Sequence, residues 1–214
     1  MTNAPILVVG ATSGIGALTV KEASARGLPV RAFGRSAGTL EKTDLVEPVA
    51  GDARSQKDMT AALVGVRAVI SCLGVKERLA MLWEDETLFS DTTRILLPAM
   101  AKADVRRLVV VTGFGAGRSR MAMSSLESFG HKMVLGKVYA DKDRQEEMIV
   151  ASDLDWTIAR PVILRNNAKS SRFKILRDPS EWRNGLASRA DVAAYCIDAV
   201  EKDLDIRADV VLAR

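Results

Sequence analysis

The chain is poor in the residues that build metal, disulfide and stacking sites. Of its 214 residues one is histidine, two are cysteine and 5% are aromatic. Cys72 and Cys196 sit far apart in separate apolar runs, so neither a disulfide framework nor a metal site is expected. They read as small buried hydrophobes in a reducing cytoplasm. No run of about 18 apolar residues occurs, which excludes a spanning helix. Met1 to Pro5 lack a basic n-region and run straight into a strand-like stretch, so no secretory signal is expected. Interleaved aromatics are missing too, and nucleic-acid binding is not expected. There are no repeats and no low-complexity linker.

What is present is an ordinary globular balance, 48% hydrophobic and 27% charged, enough for one domain with a large core. The net charge of +4 is concentrated. Arg165, Lys169, Arg172, Lys174, Arg177, Arg183 and Arg189 are opposed locally only by Asp178 and Glu181, so this stretch alone exceeds the chain's whole positive excess. A local basic segment argues for a local anionic ligand or surface.

Apolar runs alternate with helical patterns. Ile6 to Val9 reads as a strand buried on both faces, Gly14 to Arg26 as a helix with Gly27 as its C′ residue, and Pro29 to Phe33 as the next strand. Strands follow at Leu45 to Ala50, Ala68 to Cys72, Arg107 to Val111, Trp156 to Ala159 and Val210 to Leu212. Helices are expected from Ser55 to about Val64, from Glu84 to Lys102, from about Lys132 to Ala151, and after Ser188. Ser55-x-x-Asp58 and Ser188-x-x-Asp191 are capping boxes. The expectation is a single α/β domain over 1–214 with a doubly wound, mostly parallel, Rossmann-type sheet. Two segments resist assignment, Gly113 to Gly130 and Leu164 to Leu186. Both follow strands, so substrate-side loops are expected over 113–131 and 164–187, at the carboxyl edge where open α/β sheets bind ligands.

Between the first strand and its helix stands Gly10-Ala11-Thr12-Ser13-Gly14-Ile15-Gly16. Gly10 permits a tight turn, Gly14 lets backbone approach a pyrophosphate, and Gly16 lets the helix pack close to the sheet. Free amides at the helix start meet the phosphate charge. Gly10, Thr12, Ser13, Gly14, Ile15 and Gly16 are therefore the expected phosphate-binding set. No acid stands between Pro29 and Ser36 to hold a ribose 2′-hydroxyl; Arg35, with Ser36 beside it, suits the 2′-phosphate of NADP(H) better than NAD(H). Arg31 is a second candidate.

Across nearly its whole length the chain resembles the atypical short-chain dehydrogenase/reductases, in the NAD(P)H-binding branch related to the regulator NmrA and neighbouring the flavin/biliverdin-IXβ reductases. The markers are the glycine motif, Gly51-Asp52-Ala53, Ser71-Cys72-Leu73-Gly74, Val109-Val110-Val111-Thr112, Asp153 to Pro161 with its Trp156-Thr157-Ile158-Ala159-Arg160-Pro161 core, and Arg189-Ala190-Asp191-Val192-Ala193. The resemblance implies that Asp52 and Ala53 lie at the adenine, Leu73 and Gly74 at its ribose, Thr112 near the nicotinamide, and Pro161, Val162 and Ile163 along its flank.

The catalytic pattern departs from the family. Lys142 stands at the family's lysine position, but the residue four before it is Val138, and Tyr139 is three before. Both spacings share a helical face. Thr112 replaces the usual serine and keeps a hydroxyl. The candidate catalytic residues are Thr112, Lys142 and Tyr139, with Lys142 alternatively a ribose ligand. His131 follows the 113–130 segment as a surface residue or a titratable group at the site mouth, and Met121, Met123 and Met133 could wall a flat substrate or pack in the core. The expected function is NADPH-dependent reduction of a small planar or carbonyl-type acceptor such as a flavin, quinone or tetrapyrrole, carrying a phosphate or carboxylate where it meets the basic segment. The alternative is a non-catalytic NADP(H) sensor that binds a protein partner. The protein is expected in the cytoplasm as a monomer or homodimer.

Overall fold

A computed structural model describes residues 4–74, 86–123, 125–170 and 172–214, with the side chains of 125–135 outside that description. The main sheet contains β1 (Ile6–Val9), β2 (Val30–Gly34), β3 (Val46–Ala50), β4 (Ala68–Ser71), β5 (Arg107–Val111), β6 (Asp155–Pro161), β8 (Lys174–Leu176) and β10 (Ala208–Ala213). Their order is β3-β2-β1-β4-β5-β6-β10-β8. All neighbours are parallel except β10 with β8. The chain winds outward from β1 in both directions, so a crevice opens beyond the carboxyl ends of β1 and β4. A second, two-stranded sheet pairs β7 (Ile163–Arg165) with β9 (Leu186–Ser188).

Helices cover both faces: α1 (Gly14–Ala25), α2 (Gln56–Leu63), α3 (Leu88–Lys102), α4 (Ser125–Val150) and α5 (Arg189–Glu201). β1, β4 and β5 are buried along their whole length, as strands covered on both sides must be. One core lies between the sheet and α1 and α5, built on Ile6, Val8, Ile70, Val192 and Cys196. The other lies beneath α2 and α3, built on Leu7, Val9, Phe33, Met59 and Met100.

The helix punctuation follows the sequence. Gly27 adopts φ +73° and the Leu28 amide donates to the Ala23 carbonyl at 3.0 Å, a Schellman closure. Ser55 Oγ accepts from the Asp58 amide at 3.2 Å, and Ser188 Oγ from the Ala190 amide at 3.1 Å. The acid of each box turns elsewhere. Asp58 accepts from the Asp52 amide at 3.0 Å, and Asp191 from the Ser170 amide at 2.9 Å. Each fixes a turn at the carboxyl edge instead of closing its own helix.

Two expectations are corrected. Helix α4 begins at Ser125, within the stretch read from sequence as a loop, and the described part of α3 begins at Leu88, with Glu84 outside the described residues. The 164–187 segment is partly ordered: β8 joins the main sheet by pairing antiparallel to β10, an edge position that period-2 patterning of three residues cannot announce.

Candidate active site

The glycine turn is built for close approach. Gly10 sits at φ +82°, and a Cβ there would lie 2.9 Å from the Cys72 carbonyl oxygen. A Cβ on Gly16 would collide with the Gly10 carbonyl. The turn is thus pressed against the start of the Cys72–Gly74 segment, while nothing stands within 4 Å of a Cβ at exposed Gly14. The N-cap Ser13 makes no side-chain cap bond, and the first turn of α1 carries no acid. Its amides and positive dipole end face open space, and no carboxylate competes for them.

Around this turn the other expected cofactor residues assemble. The Gly10 and Ala11 amides donate to the Phe33 carbonyl, which draws the end of β2 beside the turn. Ser36 Oγ lies 3.2 Å from Thr12 Oγ1. Arg35 is exposed there and has no ion pair among the described residues. Arg31 is removed from candidacy, because it pairs with Glu47 at 2.7 Å and donates to the Ala62 and Val64 carbonyls. Asp52 and Ala53 follow β3, in a turn where the Arg54 amide donates to Asp52 Oδ1 at 2.9 Å.

Thr112, Lys142 and Tyr139 converge across 30 residues of sequence. Lys142 Nζ donates to the Thr112 carbonyl at 3.0 Å and lies 4.1 Å from the centroid of the Phe89 ring. The Tyr139 hydroxyl lies 2.7 Å from where a Cβ on Gly113 would stand. Val138, in the position expected of the family tyrosine, is buried in a small cluster with Phe89, joined by Leu73 and Tyr139. A spacing of three therefore still brings tyrosine and lysine to one place, and Val138 packs the floor.

Electrostatics separate the two titratable members. Burial pulls Lys142 down to about 8, against the opposing charges of Glu146 and Asp141. Those carboxylates are occupied: Glu146 by Arg160, and Asp141 by the amides that open α3 and by Arg144. Burial, with Glu146 adding to it, pushes the Tyr139 hydroxyl up to about 12. Thr112 Oγ1 is buried and has no hydrogen-bond partner among the described residues. An orphaned hydroxyl beside a buried cation needs a polar partner, and the described residues supply none.

A charged network that sequence reading missed stands behind this trio. Arg160, 2% exposed, donates to Glu146 at 2.6 Å and to Asp209, which Arg118 also pairs. Burial opposes the Asp209 carboxylate, yet hydrogen bonds from Arg118 and the charge of Arg160 hold it below its ordinary value. Arg118 and Arg160 lie 5.1 and 5.3 Å from the Trp182 ring centroid. Asp143 accepts from the Gly117 amide at 2.7 Å and pairs with Arg120. The network clamps the 113–123 segment and the 179–182 turn onto α4, β6 and β10. Arg160 was visible only as part of a motif ending in proline; no local pattern announces Glu146, Asp209 or Arg118.

Val162 is buried and Ile163 exposed where β6 gives way to β7, with the Phe114 amide on the Pro161 carbonyl at 2.9 Å. Met123 packs against the core and Met121 is 85% exposed, so these two share no wall; the side chains of Met133 and His131 lie outside the described residues. The Cys72 and Cys196 thiols are free, Cys196 buried in the core and Cys72 half-buried against it. No cluster that could hold a metal occurs among the described residues. A cavity of about 500 Å³ opens at the opposite, amino edge of the sheet, but two of its three arginines are committed: Arg106 faces Asp155 at 3.5 Å, and Arg107 donates to the Ala199 and Leu204 carbonyls behind α5.

The residues present fit a dinucleotide: an acid-free helix start for the diphosphate, close-approach glycines, and an orphaned hydroxyl farther along the same edge. The comparisons agree. A family model described as NAD(P)H-binding matches residues 10–203. None of the curated proteins matches the chain by sequence. Among solved structures it is similar to ChuY, an anaerobilin reductase of Escherichia coli O157:H7, at 24% identity and TM-score 0.80, over 98% of this chain and 96% of that one. A chuY protein of a second Escherichia coli strain matches at 25% identity and TM-score 0.77 over the same shares. A short-chain dehydrogenase/reductase of Veillonella parvula, solved with NADP, matches at 15% identity and TM-score 0.82, over 99% and 94%. The extent of the family match and the Rossmann strand order lead to one assignment: the chain belongs to the NAD(P)H-binding family.

Proposed function

We propose that this protein is a cytoplasmic NADPH-dependent reductase of a small, planar or carbonyl-type acceptor. One observation carries the reading: a glycine cradle open to phosphate and a buried Thr112–Lys142 pair, with half-buried Tyr139 beside it, stand along one sheet edge. The bound nicotinamide would supply a hydride. The Gly10–Gly16 turn would hold the diphosphate through backbone amides, and Arg35 with Ser36 the 2′-phosphate. Asp52, Ala53, Leu73 and Gly74 would border the adenosine; Pro161, Val162 and Ile163 would border the nicotinamide. Thr112 Oγ1 would hydrogen-bond the ring's amide or the acceptor. Lys142, charged below about pH 8, is the better proton donor of the two titratable groups. Its proton would go from Nζ to the acceptor oxygen or nitrogen as the neighbouring atom takes the hydride. Tyr139, held near 12 by burial, would orient the acceptor.

A second reading is a regulatory NADP(H) sensor of the NmrA kind, favoured by Val138 where a catalytic tyrosine is expected. Titrating NADPH and NADH by fluorescence, then following NADPH oxidation with flavins and quinones, separates the two. Multiple turnovers support the enzyme. Tight binding without oxidation of NADPH by any acceptor overturns it in favour of the sensor.

A further inference from the structure

Apart from Ile163, which would also border the nicotinamide, the small sheet of β7 and β9 carries features that the proposed cofactor site does not use. Ile163 and Leu186 are cross-strand partners, 56% and 36% exposed. Ile163 and Arg165 share a strand face, because alternate residues do. Arg165 and Leu186 line one cleft with Asn167 and Ser188. The basic segment, read as a single block in sequence, divides in the fold. Lys169 pairs with Glu22 and Arg177 with Asp205. Arg183 donates to the Glu181 carbonyl and Arg189 to Asn166. Arg165 is exposed and has no carboxylate partner among the described residues. An exposed apolar pair thus adjoins an uncommitted guanidinium, with Ile163 two and Arg165 four residues beyond Pro161.

We propose that this face selects the acceptor: Ile163 and Leu186 seat its apolar ring, and Arg165 pairs with an anionic substituent, a carboxylate, sulfonate or phosphate. The inference rests on the reductase reading and adds to it the charge of the substrate and the residue that reads it. A small molecule fits better than a protein, because two apolar side chains fall far short of the roughly 1,000 Å² that a specific protein interface buries. A guanidinium forks onto two anionic oxygens, which gives orientation as well as attraction.

The test follows NADPH oxidation with two matched pairs of acceptors: riboflavin and its 5′-phosphate, and 1,2-naphthoquinone with and without a 4-sulfonate. The charged member of each pair is expected to show a kcat/KM higher by about five- to tenfold, the scale of one partly exposed ion pair with steering. Arg165→Gln should bring that ratio to about one while NADPH affinity stays unchanged. Leu186→Ser should raise KM for all four acceptors. Equal kcat/KM within each pair, or a preference that survives Arg165→Gln, overturns this inference alone. NADPH binding with no turnover of any acceptor overturns it together with the reductase reading.

Discussion

The two ends of the crevice are held by different chemistry. Around β1, β2 and β4 the surface is backbone: glycines bring carbonyl and amide groups together, and side chains mostly stay out of the way. Around β5, β6 and β10 the surface is held by charged side chains, with Arg160 between Glu146 and Asp209, Arg118 on Asp209, and Trp182 against both arginines. The first end suits a ligand whose diphosphate is constant. The second holds two loops in place through charged side chains anchored on β6, β10 and α4.

The comparison breaks most sharply at Arg160. Arg160→Met should cost about 3–5 kcal/mol of stability, because Glu146 loses its partner inside the protein and Asp209 keeps only Arg118. A urea midpoint little different from wild type would show the network to be ornamental. Gly14→Val tests the other end. Valine at φ +55° is strained, and its branches would stand where the diphosphate is expected, so NADPH affinity should fall by about 100-fold or more with a folded circular dichroism spectrum. Normal affinity would refute the cradle.

Lys142 sharpens the difference in acidity. If its ammonium gives the proton, activity should be full below pH 8 and fall as pH rises through about 8, since burial lowers a cation's pKa. Lys142→Met should lose about 100-fold in turnover and the alkaline limb with it, the lower end of what general acid catalysis contributes. An alkaline limb unchanged in the variant assigns the proton elsewhere. The smallest effect is at Arg35. Arg35→Glu should weaken NADPH by about tenfold or more and leave NADH nearly unchanged, because only NADPH carries the 2′-phosphate. Equal losses would remove the NADPH preference from the proposal.

How legible each end was follows from this chemistry. The glycine turn lies within seven consecutive residues, so spacing alone located it. The capping boxes at Ser55 and Ser188 were legible for the same local reason, but the destinations of Asp58 and Asp191 were not: each acid bonds an amide outside its own helix. Tyr139 and Lys142 could be read as sharing a helix face. That the partner of Lys142 was the Thr112 carbonyl followed only from where the fold brings α4 to the end of β5. The 113–131 segment was misjudged because glycine, serine and methionine composition outweighed a helix that starts at Ser125.

The sequence by itself determined the strand–turn–helix opening, the parallel alternation and the family, because each is written in residues within a turn or two of one another. Only the tertiary structure decided that Arg31 is committed to Glu47, that Cys72 and Cys196 pack into the same core, and that Arg118, Glu146, Arg160 and Asp209 form one network. The reason is distance along the chain. Arg118 reaches Asp209 across 91 positions, and a pairing of that span leaves no periodicity for a sequence to display.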